Sequence, residues 1–266
     1  MEKIENITKK AILYLMLTAI LFILIFAVSL NIKGAKAESA KDFPPTTLSV
    51  RYGKTKNGSL YRAELTAVYE NKGLFAQNIT INLYYPETGE KTVIIPRTDA
   101  GYSPAIVLAD FTGDDAEEIF LGITSGGSGG YGYYYIYEPD QNSVNVLFDY
   151  EKLANPYCAE YADCYKVKVT DQTLGEIYNI DISDRGEDYL SALYDENGKL
   201  LNSVPADVSA VNTVLPFFDN NKSRFNLLVL RRITGLYNAD SFGYTQNFMS
   251  YSGNGFTAYY NNVAIN

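Results

Sequence analysis

An all-β fold is predicted by three features of the 266-residue sequence. Tyrosine (24), phenylalanine (13) and glycine (20) are abundant, a composition suited to strands joined by tight turns. Short apolar or alternating runs recur with turn residues at spacings of about 8–12 residues. Beyond residue 37, no helical pattern of ten or more residues stands out. The expected class is therefore all-β, built as antiparallel β-propeller-like blades after an N-terminal apolar segment. A β-sandwich or barrel is the alternative.

Residues 1–37 read as a signal peptide or membrane anchor. Lys3, Lys9 and Lys10 precede an apolar run from Ala11 to Leu30, and Ala35-Lys36-Ala37 fits the small-x-small pattern of signal peptidase. A run of that length also suffices to span a hydrocarbon core of about 30 Å, so residues 11–30 would act as an anchor if uncleaved. Either outcome places the rest of the chain outside the cytoplasm, secreted or at the cell surface. Loss of residues 1–37, with five lysines and two glutamates, takes the formal charge from −9 to −12. That balance excludes a nucleic-acid footprint. It leaves membrane contact only through the N-terminal segment.

Residues 38–46 form a Pro-containing linker, and residues 47–266 a single all-β domain. Strands are expected at 47–52, 60–70, 79–85 and 91–96, the last two joined by the turn Pro86-Glu87-Thr88-Gly89. Further strands are expected at 143–150, 165–170 and 176–182. Runs 189–194 and 199–204 flank Asn197-Gly198, a strong hairpin signal. Runs 225–230, 245–251 and 256–260 complete the series. Residues 151–163 read as irregular and carry Cys158. With Cys164 it makes the only cysteine pair, for which export predicts a disulfide.

The central stretch, residues 104–137, reads as strand, acidic loop, strand, glycine loop, strand. Asp110, Thr112, Asp114 and Glu118 occupy positions 1, 3, 5 and 9 of the acidic loop, with the carbonyl of Ala116 at position 7. Alternating oxygens of this kind suit calcium, which takes six to eight hard ligands at about 2.3–2.6 Å. Leu121 at position 12 and the flanking strands exclude an EF-hand. The spacing resembles the Asp-x-Asp/Asn-x-Asp-Gly-x-x-Asp/Glu loop of integrin-α (FG-GAP) and VCBS repeats. Two departures stand out: neutral Thr112 at position 3, and Asp115 where that family prefers glycine. The resemblance extends through D-F-T-G-D-D-A-E-E-I, S-G-G-S-G-G-Y-G-Y-Y-Y-I-Y, Y-D-E-N-G-K-L and R-R-I-T-G-L-Y-N-A-D-S-F-G-Y to exported VCBS-type proteins of Firmicutes, of unknown activity. It implies an exported β-protein with a calcium hairpin and assigns no catalytic residue.

A weak internal repeat of about 54 residues relates Glu64–Val68 and Glu118–Leu121, and double that spacing leads to Asn226–Val229. The other two copies have no metal set, with Lys56 at position 1 of the first and Lys222 in the middle of the last.

The sequence has no histidine, which removes Ser-His-Asp, Cys-His and H-E-x-x-H chemistry together. Asp181, Asp184, Glu187 and Asp188 form the densest acidic cluster outside the central loop, and read as a solvated flank beside Arg185. The glycine run Ser125–Gly130 lacks the lysine of a P-loop and reads as a strand connection. Tyr131, Tyr133, Tyr135 and Tyr137 fall on one strand face. They read either as packing against a neighbouring sheet or as a platform for a glycan or peptide. The functional expectation is a non-enzymatic, exported cell-surface β-domain that holds one structural calcium and binds an unidentified envelope or extracellular partner, protein or glycan. The alternatives are a polysaccharide hydrolase with a carboxylate pair, and a structural envelope or spore-layer protein.

Overall fold

The computed structural model describes residues 43–70, 73–141 and 143–266. The signal or anchor reading of residues 1–37, and most of the linker, lies outside the described residues. Among the described residues no helix is long and apolar enough to cross a membrane.

The first half of the chain forms one antiparallel sheet in the order β1-β2-β3-β5-β6-β7-β8, with β4 also on β3. Its strands are β1 (Thr46–Lys54), β2 (Leu60–Tyr69), β3 (Phe75–Tyr84), β4 (Lys91–Ile94), β5 (Gly101–Ala109), β6 (Glu118–Thr124), β7 (Gly132–Asp140) and β8 (Ser143–Asp149). The second half forms another antiparallel sheet, β11-β10-β9-β12-β13-β14-β15. These strands are β9 (Tyr157–Ala162), β10 (Lys166–Asp171), β11 (Ile177–Asp181), β12 (Pro205–Asp219), β13 (Arg224–Thr234), β14 (Ser241–Tyr251) and β15 (Phe256–Ile265). The only helical pieces among the described residues are a single turn at Tyr150–Lys152 and the short α1 (Glu187–Ser191).

The first sheet curls until it is nearly a closed barrel. Strand β1 returns to the β5–β6 hairpin, where the Glu117 amide donates to Lys54 O at 3.1 Å and the Lys54 amide to Glu117 Oε2 at 2.8 Å. Alternation along β2 and β3 points Tyr61, Ala63, Leu65, Ile79, Ile81 and Leu83 into the resulting core. The second sheet has its own core around Tyr161, Val167, Val169, Ile180 and Ile233. A third apolar cluster draws on both sheets: Ala109, Phe111, Phe120 and Ile136 meet Val214, Leu227, Val229 and Met249. Residues 44–266 thus make one compact unit.

The all-β, antiparallel expectation holds, but the strands pair into two large sheets, without a series of four-stranded blades. The segments of the repeat do lie on strands: Glu64–Val68 on β2, Glu118–Leu121 on β6 and Asn226–Val229 on β13. Two of them share the first sheet and the third belongs to the second, so the spacing marks no blade.

Three local expectations are corrected. The hairpin predicted around Asn197-Gly198 is reduced to one bridge, Tyr194 to Leu200, because residues 187–191 turn into α1. Residues 157–162, predicted irregular, form β9. That strand also separates the cysteines: Cys158 pairs across the sheet with Thr170, whereas Cys164 lies in the turn beyond the far end of β9. At ~3.3 Å per residue, the four steps from Cys158 to Ala162 alone span roughly 13 Å. A disulfide needs Cα atoms within about 7 Å. Both thiols are free and exposed.

The junction between the sheets is held by β13. Arg224 Nη1 donates to Thr112 O at 3.1 Å in the β5–β6 loop. Arg232 Nη2 donates to Gly129 O at 2.8 Å in the β6–β7 loop, where Asn212 Nδ2 of β12 also bonds Gly129 O at 2.7 Å. Arg231 Nη2 donates to Ala154 O at 2.9 Å in the link between the sheets. Arg231 is 1% exposed, and burial lowers its pKa to about 10. Replacing Arg231 with alanine removes these bonds and opens a cavity in the shared core. The variant is expected to lose about 2–4 kcal/mol in urea unfolding, whereas Lys168→Ala, which breaks only a solvent-screened surface pair with Glu160, is expected to leave the urea midpoint near that of wild type.

Candidate metal centre

The acidic loop is the turn between β5 and β6. Phe111 is its anchor: fully buried, with its ring centroid 6.1 Å from those of Phe225 and Phe256 and 6.5 Å from that of Phe120. Burying that ring against the second sheet holds the loop down, and the Phe225 amide donates to Asp110 O at 2.7 Å beside it. Two left-handed residues make the reversal, Gly113 at φ 85° and Asp115 at φ 63°. Asp115 therefore takes up the conformation that the resembling family assigns to glycine, at a cost of order 1 kcal/mol.

Carboxylate oxygens of Asp110, Asp114 and Glu118 lie within 4.8 Å of one another. Oxygens touching one ion at about 2.4 Å are separated by no more than about twice that distance, so the set fits a calcium-sized cation. The remaining lone pairs are used by the loop itself. Asp110 accepts from the Gly113 and Asp115 amides, the latter at 3.0 Å, and Asp114 accepts from the Ala116 amide at 3.1 Å. Glu118 accepts from the Phe111 amide at 2.7 Å and from the Thr112 hydroxyl at 3.2 Å. Of the five expected ligands, the fold brings the three carboxylates together. Thr112 spends its hydroxyl on Glu118 and its carbonyl on Arg224. Lys56, from the β1–β2 turn, stands 4.0 Å from Asp114.

Glu118 is the unusual member, a glutamate 1% exposed at the start of a strand. Burial raises its pKa to about 7; the Phe111 amide opposes the rise, and Asp114 and Asp110 add to it. The buried carboxyl therefore favours a neutralising partner, either a proton or a cation.

The other sequence candidates do not form a site. Tyr135 and Tyr137 are buried in the first core with rings stacked 5.9 Å apart, so they pack and offer no platform. Tyr133 packs against Tyr150 in a tilted pair with ring centroids 5.4 Å apart. Tyr131, just before β7, is half-buried and closes the glycine loop, its carbonyl accepting from the Ser125 amide at 2.9 Å. Asp181, Asp184, Glu187 and Asp188 are exposed along the end of β11, the turn and the start of α1. Arg185 turns from them to Asp240 at 3.3 Å.

Sequence reasoning missed the centre around Asp240. This buried carboxylate accepts from Tyr189 Oη at 2.6 Å and the Leu236 amide at 3.0 Å, as well as from Arg185. Tyr161 completes the chain through Tyr189. A Cβ on Gly235 would stand 2.2 Å from Asp240 Oδ2 and 2.4 Å from Tyr161 Oη, so the glycine is required for contact. The segment T-G-L-Y-N-A-D carries the signal, a glycine five residues before an acidic residue, but nothing in it distinguishes a buried cluster from an ordinary turn.

A family model described as the YybI C-terminal domain matches residues 155–264. The match begins two residues before β9, so it covers the second sheet and leaves the acidic loop outside. The chain is 28% identical over 211 residues to the uncharacterized protein YybI of Bacillus subtilis (strain 168), covering 79% of this chain and 80% of that protein. No solved structure matches.

Glu118 generates a pH prediction for protein kept in chelator. Its folded pKa of about 7 lies above the ordinary 4.5, so its contribution is fully present below pH 4.5 and is lost as pH rises through 7. The melting temperature of wild type is expected to fall from pH 5 to pH 8. Glu118→Gln, which keeps the shape without the charge, is expected to flatten that decline in a thermal scan. For the second cluster, Gly235→Ala is expected to cost about 1–3 kcal/mol by forcing Asp240 and Tyr161 aside, measured by chemical denaturation.

Proposed function

We propose that this chain is a non-enzymatic, exported β-domain whose β5–β6 hairpin holds one structural calcium ion and whose surface binds an envelope or extracellular partner. The observation that carries the reading is the convergence of Asp110, Asp114 and Glu118 within 4.8 Å, one of them buried. A buried carboxylate facing two more is unfavourable alone and favourable around a divalent ion. The alternate spacing and the left-handed position at Asp115 support the likeness to the VCBS and FG-GAP hairpin. The absence of histidine from the sequence supports a binding role over hydrolysis. The apolar run Ala11–Leu30 supports export.

Such an ion would act on the junction more than on the hairpin alone. The loop carries Phe111 into the shared core and presents Thr112 O to Arg224. Fixing the loop therefore fixes the seam between the sheets, where a partner-binding surface would need rigidity.

The test is thermal unfolding with and without calcium. A ligand at a hundredfold excess over Kd adds about 2.7 kcal/mol, and extracellular sites of this type bind at about 10⁻⁴–10⁻³ M, so millimolar calcium should raise the melting temperature visibly. Asp114→Ala should lose the rise, while Asp184→Ala, an exposed acidic residue on the β11–α1 turn, should keep it. Equal melting of wild type in calcium and in chelator would remove the reading.

A further inference from the structure

Among the described residues, edges without a ladder to a further strand occur on β1, β4 and β8 of the first sheet, β1 meeting only the turn after β5 through Lys54, and on β11 and β15 of the second. Four of them carry the charges that natural proteins use to discourage edge pairing. Arg51 and Lys54 lie on β1, Lys91 on β4, Asp149 on β8 and Asp181 on β11. Strand β15, F-T-A-Y-Y-N-N-V-A-I, has no charged residue and no proline. It is also the longest of the five edge strands, at 10 residues, and among the described residues it pairs with β14 alone.

The register locates the usable part. A bulge between the Phe248–Tyr260 and Met249–Ala258 pairs leaves Tyr259 extra, and from Tyr260 to Ile265 the pairing with β14 is regular. Within that run the Val263 amide is met by the side chain of its neighbour, Asn262 Oδ1, at 2.7 Å. Its N–H therefore points away from β14, and alternation turns the N–H and C=O groups of Asn261, Val263 and Ile265 outward together. A cross-strand row on the outer face, Leu215, Leu228, Phe248 and Tyr260, runs to this edge, with Phe248 and Tyr260 ring centroids 5.6 Å apart. Tyr260 and Ile265 at its ends are 55% and 70% exposed.

We propose that residues Tyr260–Ile265 of β15 are a homotypic interface, where a second copy of this chain adds its own β15 antiparallel about a two-fold axis at Val263. Antiparallel self-pairing is the case an uncharged edge favours in a chain of net charge −9: no like charges meet along the ladder, whereas β1, β4, β8 and β11 would each bring their own charge near its copy. Centring on Val263 places Asn261 opposite Ile265 of the other copy and offers about six interchain hydrogen bonds once the Val263 amide exchanges its bond to Asn262 Oδ1 for one to the second copy. The outer-face row ends at Tyr260, which comes to lie opposite Asn266 of the other copy. The inference stands apart from the cation site.

Sedimentation of the full-length chain in mild detergent, up to ~100 µM, measures the equilibrium. Wild type is expected to shift from monomer to dimer. Val263→Pro removes one outward N–H without touching the bonds to β14, and is expected to stay monomeric, with a lower melting temperature because Val263 also packs against the second core. Asn262→Lys with Ala264→Lys sets like charges opposite one another and is expected to do the same if the proline variant fails to fold. In a Cys158→Ser, Cys164→Ser background, Asn262→Cys with Ala264→Cys should give a covalent dimer on mild oxidation. A wild type monomeric at the highest concentration overturns the proposal. So does a dimer that survives both the proline and the lysine variants, or a Val263 amide already protected from exchange in the monomer, which would mean that another segment of the chain covers the edge.

Discussion

The two sheets meet along β12 and β13, and β13 supplies the long donors. Three guanidinium groups on β13, those of Arg224, Arg231 and Arg232, reach across the seam and donate to main-chain carbonyls in the β5–β6 loop, the link between the sheets and the β6–β7 loop. A planar, always-charged donor suits this role, because it spans several ångströms and offers more than one N–H in a fixed geometry. The cost is the desolvation of cations without carboxylate partners among these bonds. It is offset by charge-assisted hydrogen bonds and by the shared apolar cluster in which Phe111, Ile136, Val214 and Leu227 sit. Loss of either contribution leaves two sheets that each retain a core but no longer share one.

The acidic loop is a product of that arrangement. Phe111 must reach the shared core, so the chain carries its neighbours Asp110 and Thr112 with it and buries Glu118 at the opening of β6. The carboxylate then accepts amides from Phe111 and Thr112 and stands near two more acids. Apolar packing thus supplies the geometry, and electrostatics decides what occupies it: a proton on Glu118, the distant help of Lys56, or a divalent ion.

Much of this was readable from residue order, and the failures have physical causes. Strands with period-two alternation or a decisive turn, such as β2, β3, β10 and the β5–β6 hairpin, fall close to where they were expected. The 15-residue β12 was missed because Pro205 and Pro216 bound a run holding Asp207, Ser209 and Asn212, which looks unlike a buried strand. Its buried polar side chains are there to bond the glycine loop, as Asn212 does to Gly129. The segment 187–194 has a hairpin's turn signal downstream but forms α1, since Tyr189 and Leu190 pack towards the second core and Tyr189 must reach Asp240. The cysteine pair looked like a disulfide only while residues 157–162 were read as irregular. Among the site residues, the three carboxylates were legible from spacing alone, while the roles of Thr112 and Ala116 depend on hydrogen bonds that spacing does not encode.

Each of the three arginine contacts pairs a β13 side chain with backbone, two in loops of the first sheet and one in the link between the sheets. A carbonyl is present whatever residue stands at positions 112 or 154, so those receiving segments can change their side chains without unmaking the joint, while Gly129 is held as glycine by the Tyr131 ring beside it. The donors have no such freedom: lysine lacks the fork and shorter residues lack the reach. Mutational tolerance should therefore be lopsided, with drift absorbed on the side of the acceptors and resisted along β13. In lineages that kept this architecture, the first half would be the place where new surfaces are tried.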